Sequence, residues 1–240
     1  MAEQQRLAGI MARRRVIVLG IEGAIQWAET FPDESLRPLL AVRVASTAAS
    51  MSSESARKVA DWATPQIAAA VQPTGFPRRI GTRWIRHDPR GAMAWLSSLP
   101  AGTDRDDGVA ESFRDWMLAD FPSAEAWIRE QIAAGIPPWT EAAVSIFAKT
   151  NGMARPQESL EIVARLKDPE LRDSATALLL LNWIKKDRPT AEAWLARSEV
   201  SDLVRERVEA GLRAPRPPAG TPLMPTGPLG RDAPEHGWQQ

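Results

Sequence analysis

The chain has 240 residues, and 44% of them are hydrophobic, which is enough to bury a core along most of its length. Thirty basic and thirty acidic residues give a net charge of zero, which excludes the strong field of a general nucleic-acid binder. The absence of cysteine excludes disulfides and thiolate metal sites, and the two histidines, His87 and His236, are more typical of solvated or core residues than of ligands. We therefore expect no metal and no cofactor.

The N-terminal segment contains a basic cluster followed by apolar residues, an order that superficially resembles a signal peptide. Its apolar run extends only from Val16 to Ile21 and is followed by Glu22, so it is too short for that role. No other stretch approaches the roughly 18 apolar residues that cross a bilayer. We expect no membrane insertion and a cytoplasmic location by default, or an exported one if the chain is a fragment of a longer exported protein.

Pairs of tryptophans recur along the chain with the spacing W-x3-D-x6-W. The copies read WIRHDPRGAMAW at residues 84 to 95, WMLADFPSAEAW at 116 to 127 and WIKKDRPTAEAW at 183 to 194. Weaker copies fall where a steady period predicts them, which gives six units of 31 to 36 residues over nearly the whole chain. The first, middle and last positions of these weaker copies are Val16, Gly20 and Trp27, then Met51, Ser55 and Trp62, and then Phe147, Asn151 and Ile162.

Each unit predicts two helices that meet at the middle position of the motif. Asp88, Asp120 and Asp187 are N-cap formers, and a proline one or two positions later suits the first turn of a helix. Ser55 and Asn151 take the same cap position in two weaker copies. We therefore interpret the motif residues as structural, namely Trp27, Trp62, Trp84, Asp88, Trp95, Trp116, Asp120, Trp127, Trp183, Asp187 and Trp194.

Strand patterns are essentially absent, so we predict an all-α protein. Pro65, Pro73 and Pro77 interrupt the second unit, and we expect an irregular connection there. The stretch ATALLLLNWI, residues 175 to 184, is apolar nearly all round and should be the most enclosed helix.

Helix pairs that repeat with a period near 34 residues are typical of an α-solenoid, in which stacked units bury a core that no unit buries alone. The phrases DPRGAMAW, PSAEAW and PTAEAW resemble the junction of tetratricopeptide repeats, where a proline precedes the opening helix with its alanine and tryptophan. The glycine and tyrosine of that repeat are missing after the tryptophan, so the wider resemblance is to TPR-like and HEAT-like helical arrays. This resemblance implies a protein-binding scaffold. We predict an α-solenoid domain of about six helix pairs over residues 1–213.

The remaining residues, 214–240, are rich in proline and glycine and carry little apolar material. This composition predicts a flexible, disordered tail with polyproline stretches. Trp238 is the one residue of the tail whose side chain suits anchoring on a partner.

The segment FPRRIGTRWIRHDPR carries five arginines and one acidic residue, Asp88. On a helix, Arg79, Arg83 and Arg86 share one side, which suits contacts with phosphate or carboxylate groups. A solvated helix face paired with neighbouring acids is the other interpretation of such a run. The candidate residues for binding a partner or an anion are Arg78, Arg79, Arg83, Arg86 and Arg90.

Two functional hypotheses follow from these patterns. The first is a non-enzymatic scaffold that presents a curved helical-repeat surface to a protein partner. The second arises because Trp116 and Asp120 resemble the tryptophan and aspartate in the pocket of HEAT-like DNA glycosylases, which implies a nucleic-acid-binding or base-excising array that uses the Arg78–Arg90 segment.

The recurrence of the motif decides between these hypotheses. The tryptophan and aspartate pair occurs in three units with the same spacing, and an active site is not usually repeated in each unit. We therefore assign no catalytic residue, and we expect a protein partner rather than a nucleic acid. The chain could also be part of a larger solenoid or assembly.

Overall fold

The structure is a computed structural model that describes residues 2–72 and 74–213. Within these residues the chain forms twelve α-helices, two short 3₁₀ helices and no β-strand, so the predicted all-α class is confirmed. The predicted tail, residues 214–240, with His236 and Trp238, lies outside the described residues. The α-helices are α1 (Ala2–Glu29), α2 (Arg37–Ala49), α3 (Ser53–Ala69), α4 (Phe76–Trp84), α5 (Pro89–Ser98), α6 (Thr103–Ala119), α7 (Phe121–Ala133), α8 (Glu141–Asn151), α9 (Pro156–Ala164), α10 (Pro169–Lys186), α11 (Arg188–Leu195) and α12 (Asp202–Arg213). The 3₁₀ helices, Glu34–Leu36 and Pro138–Thr140, precede α2 and α8.

The aspartates of the three tryptophan pairs begin short helices, as predicted. Each carboxylate accepts a hydrogen bond from the backbone N–H three residues later, at 2.8 Å for Asp88, 3.2 Å for Asp120 and 3.3 Å for Asp187. A proline follows in the first turn of each helix, where its missing N–H costs nothing. Asp120 and Asp187 are also the C-caps of α6 and α10, so a single residue ends one helix and begins the next.

The caps predicted for two weaker copies of the motif are wrong. The N-cap of α3 is Ser52, whose hydroxyl accepts the backbone N–H of Ser55, and Ser55 lies inside the helix. The N-cap of α9 is Arg155, which makes no side-chain capping bond, and Asn151 is the last residue of α8. A repeat period that follows the spacing of the tryptophans misplaces the cap residue wherever the turn between two helices differs in length from the turns of the three clear copies.

Pro65 does not end a helix, which corrects part of the predicted irregular connection. α3 continues through Pro65, and the irregular residues follow at 70–72 and 74–75. The proline removes one backbone hydrogen bond, but the apolar face of α3 remains continuous, and its tertiary packing outweighs that loss. Pro77 lies in the first turn of α4. The buried residues of α3 are Ala56, Val59, Ala60, Ala63 and Ile67.

The first helix is bent at Gly20, the middle position of the first weak copy. Its φ of 71° and ψ of −179° interrupt the helical geometry, and only glycine adopts this region without strain. On both sides of the bend, one stripe of α1 packs against α2. The buried residues of this stripe are Ala8, Ala12, Val16, Ala24 and Ala28.

Contacts between helices follow chain order. α1 packs on α2, and each even-numbered helix from α2 to α10 packs on the next even-numbered helix. The helices α3, α5, α7 and α9 each contact both of their neighbours in the chain, and α11 contacts α10. One apolar cluster extends from α2 to α12, and a smaller one joins α1 to α2.

The tryptophans of the motif pack against each other in pairs. Five of these six rings are buried, and Trp194 is partly buried. Trp27 and Trp62, from the weaker copies, are partly buried and pack edge-on against phenylalanines, whereas Met51 is 54% exposed. The ring pairs are Trp84 with Trp95, Trp116 with Trp127, and Trp183 with Trp194, with centroid separations of 6.2, 5.5 and 6.1 Å.

Candidate functional site

A groove of about 550 Å³ lies between α1, α2 and α4 and contains two of the five candidate arginines. Arg83 lies on α4, and Arg86 follows the end of that helix. They meet Arg13 from α1 and Arg43 from α2, which the sequence did not single out. We call this site, with its four arginines, the Arg groove.

The other candidate arginines are placed differently. Arg90 lies on α5 and makes a bidentate ion pair with Glu130 of α7, with N–O distances of 3.0 and 2.9 Å. Both side chains of this pair are exposed, so the interpretation as a solvated, paired helix face applies to Arg90. Arg78 is partly buried near Asp107, and its positive charge opposes the burial that raises the pKa of that carboxyl group.

The guanidinium groups of the Arg groove have no direct partner within the described residues. Arg13, Arg43, Arg83 and Arg86 make neither an ion pair nor a side-chain hydrogen bond there. Burial lowers the pKa of Arg83, and the positive charges of Arg86, Arg79 and Arg43 lower it further. The site therefore concentrates positive charge that an anion would stabilise.

On the side of α6, the carboxylate of Asp115 lies near this positive surface. Asp115 attracts Arg83 and Arg86, but no hydrogen bond or ion pair joins them within the described residues. Burial raises the pKa of Asp115, and nearby Glu111 raises it further. Glu111 is itself paired with Arg114. On α8, burial lowers the pKa of Lys149, and the positive charge of Arg114 lowers it further. The surface beyond α4 therefore carries both acidic and basic side chains.

Besides the arginines, small and aliphatic residues line the Arg groove. Ser46 and Thr47 of α2 line it, and the Thr47 hydroxyl already donates to the backbone carbonyl of Arg43 at 2.9 Å. Ile17 and Met51 also line the groove and are 68% and 54% exposed. No aromatic ring is among the lining residues. The groove thus combines guanidinium donors with two accessible aliphatic side chains.

The motif tryptophans differ in their hydrogen bonds from one copy to the next. Trp84 Nε1 donates to the Ser53 hydroxyl at 3.1 Å, and that hydroxyl donates to Asp88 at 3.2 Å. Trp116 is buried, and its Nε1 has no hydrogen-bond partner in the described part of the chain. Sequence reasoning missed Ser53, because a serine at the start of α3 carries no sign of a contact with a tryptophan in another unit.

A second pocket, of about 540 Å³, lies near the C-terminal end of the described residues, between α9, α10 and α12. Partly buried Trp194 lines it together with Asp173, which accepts a hydrogen bond from the Ser201 hydroxyl at 2.9 Å. Asp173 also lies 3.7 Å from Arg172. Glu161 and Glu199 also line this pocket, so its charged side chains are mainly acidic, whereas those of the Arg groove are basic.

Other kinds of site were sought in the same residues. No group of three histidine, aspartate or glutamate side chains in residues 2–72 and 74–213 is arranged to hold a metal ion. None of the helices in that part of the chain combines the length and the apolar character needed to cross a bilayer. Comparisons of the chain with known protein families, with curated proteins and with solved structures gave no match.

Proposed function

We propose that the chain is an α-solenoid of about six helix pairs that binds a partner protein. The observation that carries this proposal is the packing in chain order, in which each helix contacts its near neighbours and the core continues from one unit to the next. Arrays of this type leave long surfaces open, and they commonly use them to bind other proteins.

The assignment of helix pairs supports this architecture. The pairs α2 with α3, α4 with α5, α6 with α7, α8 with α9, and α10 with α11 each join two helices across a short turn. The bent α1 supplies a sixth pair, because Gly20 stands where Asp88, Asp120 and Asp187 stand in the motif. In this interpretation, α12 is a terminal helix that covers the end of the array at α10.

The Arg groove is the surface that we assign to the partner. The four arginines that line it come from α1, from α2, and from α4 and its end, and their side chains have no hydrogen-bond or ion-pair partner within the described residues. Arginine side chains without ion-pair partners contribute little to the stability of the fold. The free-energy cost of their mutual repulsion and partial burial is offset when a binding partner supplies negative charge.

A base-excising function has weaker support. The carboxylates of Asp88, Asp120 and Asp187 are engaged as helix caps, and the rings beside them pack against other rings. A stacking pocket needs an accessible ring next to an available carboxylate. We therefore assign these residues to the structure of the array, and we assign no catalytic residue.

The proposal can be tested by site-specific photo-crosslinking in a native extract. A photo-crosslinking amino acid at position 51, in the groove, should capture one defined protein, whereas the same amino acid at Ala210 on α12 should not. Replacing Arg83 and Arg86 by glutamate should abolish the capture. As a matched control, replacing exposed Arg57 and Lys185 by glutamate should leave it intact.

Two results would contradict the scaffold function. One is capture of nucleic acid in place of a protein at position 51. The other is release of a base from damaged DNA by the purified chain, abolished by Asp120→Asn with an unchanged unfolding midpoint.

A further inference from the structure

The Arg groove contains more positive charge than the described residues neutralise. Arg13 comes from α1, Arg43 from α2, and Arg83 and Arg86 from α4 and its end. Arginine presents paired N–H donors that match the two oxygens of a carboxylate. Four arginines that line one groove therefore favour an occupant that carries several anionic groups.

The aliphatic residues of the groove limit what this occupant is. Ile17 and Met51 are well exposed at the groove, and the apolar surface continues on the outer side of α1 with Ile10, Met11 and Val18, which are exposed to 55%, 38% and 66%. Clustered exposed aliphatic side chains are typical of a surface that another protein covers. The occupant should therefore carry aliphatic groups beside its anionic groups.

Nucleic acid fits this surface less well than a peptide does. Single-stranded nucleic acid is bound by rings that stack on its bases and by a basic track along its backbone. The Arg groove has no aromatic lining residue that could stack on a base. An anionic bilayer would meet a projecting surface, whereas these guanidinium groups line a groove.

We infer that the Arg groove binds an acidic segment of the partner protein, with carboxylates at Arg13, Arg43, Arg83 and Arg86 and aliphatic side chains over Ile17 and Met51. This inference rests on the proposed scaffold function and names the chemistry of its partner. The carboxylates provide orientation and salt-dependent attraction, and the aliphatic contacts provide a component that salt does not screen.

A short synthetic peptide in which glutamates alternate with leucines is the probe. Its binding to the full chain is measured by fluorescence anisotropy at several salt concentrations. The peptide should bind at low salt and weaken as salt rises. A matched peptide with glutamine in place of glutamate should bind at least about tenfold more weakly, and one with serine in place of leucine should also lose affinity.

Variants of the chain locate the binding. Arg13 and Arg86 are both exposed, so the double variant R13Q/R86Q should fold as the wild type does. Its affinity for the glutamate peptide should fall about tenfold. The control R57Q with K185Q removes the same charge elsewhere and should have no effect. Ile17→Ser should weaken binding about fivefold, with little change in its salt dependence. Leu203→Ser, at an exposed leucine on α12, is the control for that change.

Several outcomes would overturn the inference. These are no binding of the glutamate peptide, equal binding of the glutamine peptide, equal losses in the control variants, or tighter Arg13-dependent binding of single-stranded DNA or of phosphatidylserine vesicles. If the peptide fails while photo-crosslinking at position 51 still captures a defined protein, the acidic occupant is wrong and the scaffold function stands. If both experiments fail, the scaffold function is wrong as well.

Discussion

The tryptophan and aspartate motif and the Arg groove differ in how often they occur and in whether their charged groups have hydrogen-bond partners. The motif occurs in three units, its rings pair at 5.5 to 6.2 Å, and its aspartates cap helices. The Arg groove lies at one place in the described residues, and its guanidinium groups have no direct partner there. Satisfied, repeated groups hold the fold together, whereas unsatisfied groups at one place are available to a ligand.

The largest expected effect is the loss of a ring from the motif. Trp127 is buried and packs against Phe113, Trp116 and Trp139, with centroid separations of 5.7, 5.5 and 6.0 Å. Trp127→Ala should lower the free energy of unfolding by about 3 to 5 kcal/mol, because it opens a cavity in this cluster. Chemical denaturation measures the loss. A loss of only a few tenths would place the ring on the surface and contradict a structural role for the motif.

A second comparison separates two copies of the motif. Trp84 Nε1 donates to Ser53, whereas the buried Nε1 of Trp116 has no hydrogen-bond partner within the described residues. Trp84→Phe should therefore cost about 1 kcal/mol more than Trp116→Phe, because only the first loses a hydrogen bond. Thermal or chemical unfolding of both variants measures the difference. Equal costs would mean that the contact with Ser53 contributes nothing to stability.

The helix caps should give a smaller and more uniform effect. Asp120→Ala should lower the free energy of unfolding by about 1 kcal/mol, because the backbone N–H of Ser123 loses its acceptor. Asp120→Asn should recover most of that loss, since asparagine is also a good cap. If the Asp120→Ala variant and the wild-type protein had the same free energy of unfolding, the capping assignment would be wrong.

The smallest expected effect on stability is in the Arg groove. Arg83→Gln should leave the free energy of unfolding unchanged within about 0.5 kcal/mol, or raise it slightly, because the substitution removes a partly buried charge that has no direct partner within the described residues. Thermal unfolding at neutral pH measures this. A large destabilisation would make Arg83 a structural residue and weaken the contrast between groove and motif.

Much of the helical framework is predictable from local sequence. An aspartate followed by a proline begins a helix at Asp88, Asp120 and Asp187 because the cap and the first turn depend on neighbouring residues alone. Ser52 escaped prediction because three further serines, Ser50, Ser53 and Ser55, lie within three positions of it and each is a plausible cap. Pro65 did so because the helix that contains it is stabilised by contacts with other helices.

The candidate site could be predicted only in part. The spacing of Arg79, Arg83 and Arg86 predicts one helix face, but α4 ends at Trp84, so only Arg79 and Arg83 lie on that helix. The predicted proximity still holds, because burial and the charges of Arg86 and Arg79 lower the pKa of Arg83. Arg90 follows the same basic run but pairs with Glu130, a residue 40 positions away. No local pattern reports a contact at that separation.

The sequence by itself determined the helical class, the recurring spacing of the tryptophans and the strong helix caps, because these depend on periodicity and on interactions between residues a few positions apart. Tertiary structure decided which charged side chains of the described residues have ion-pair partners. It brings Arg13 and Arg43 beside Arg83 and gives Arg90 an acidic partner on another helix. The reason is that a charge is satisfied or left open by whatever the packing of distant helices places next to it, and the spacing of residues along one helix does not contain that information.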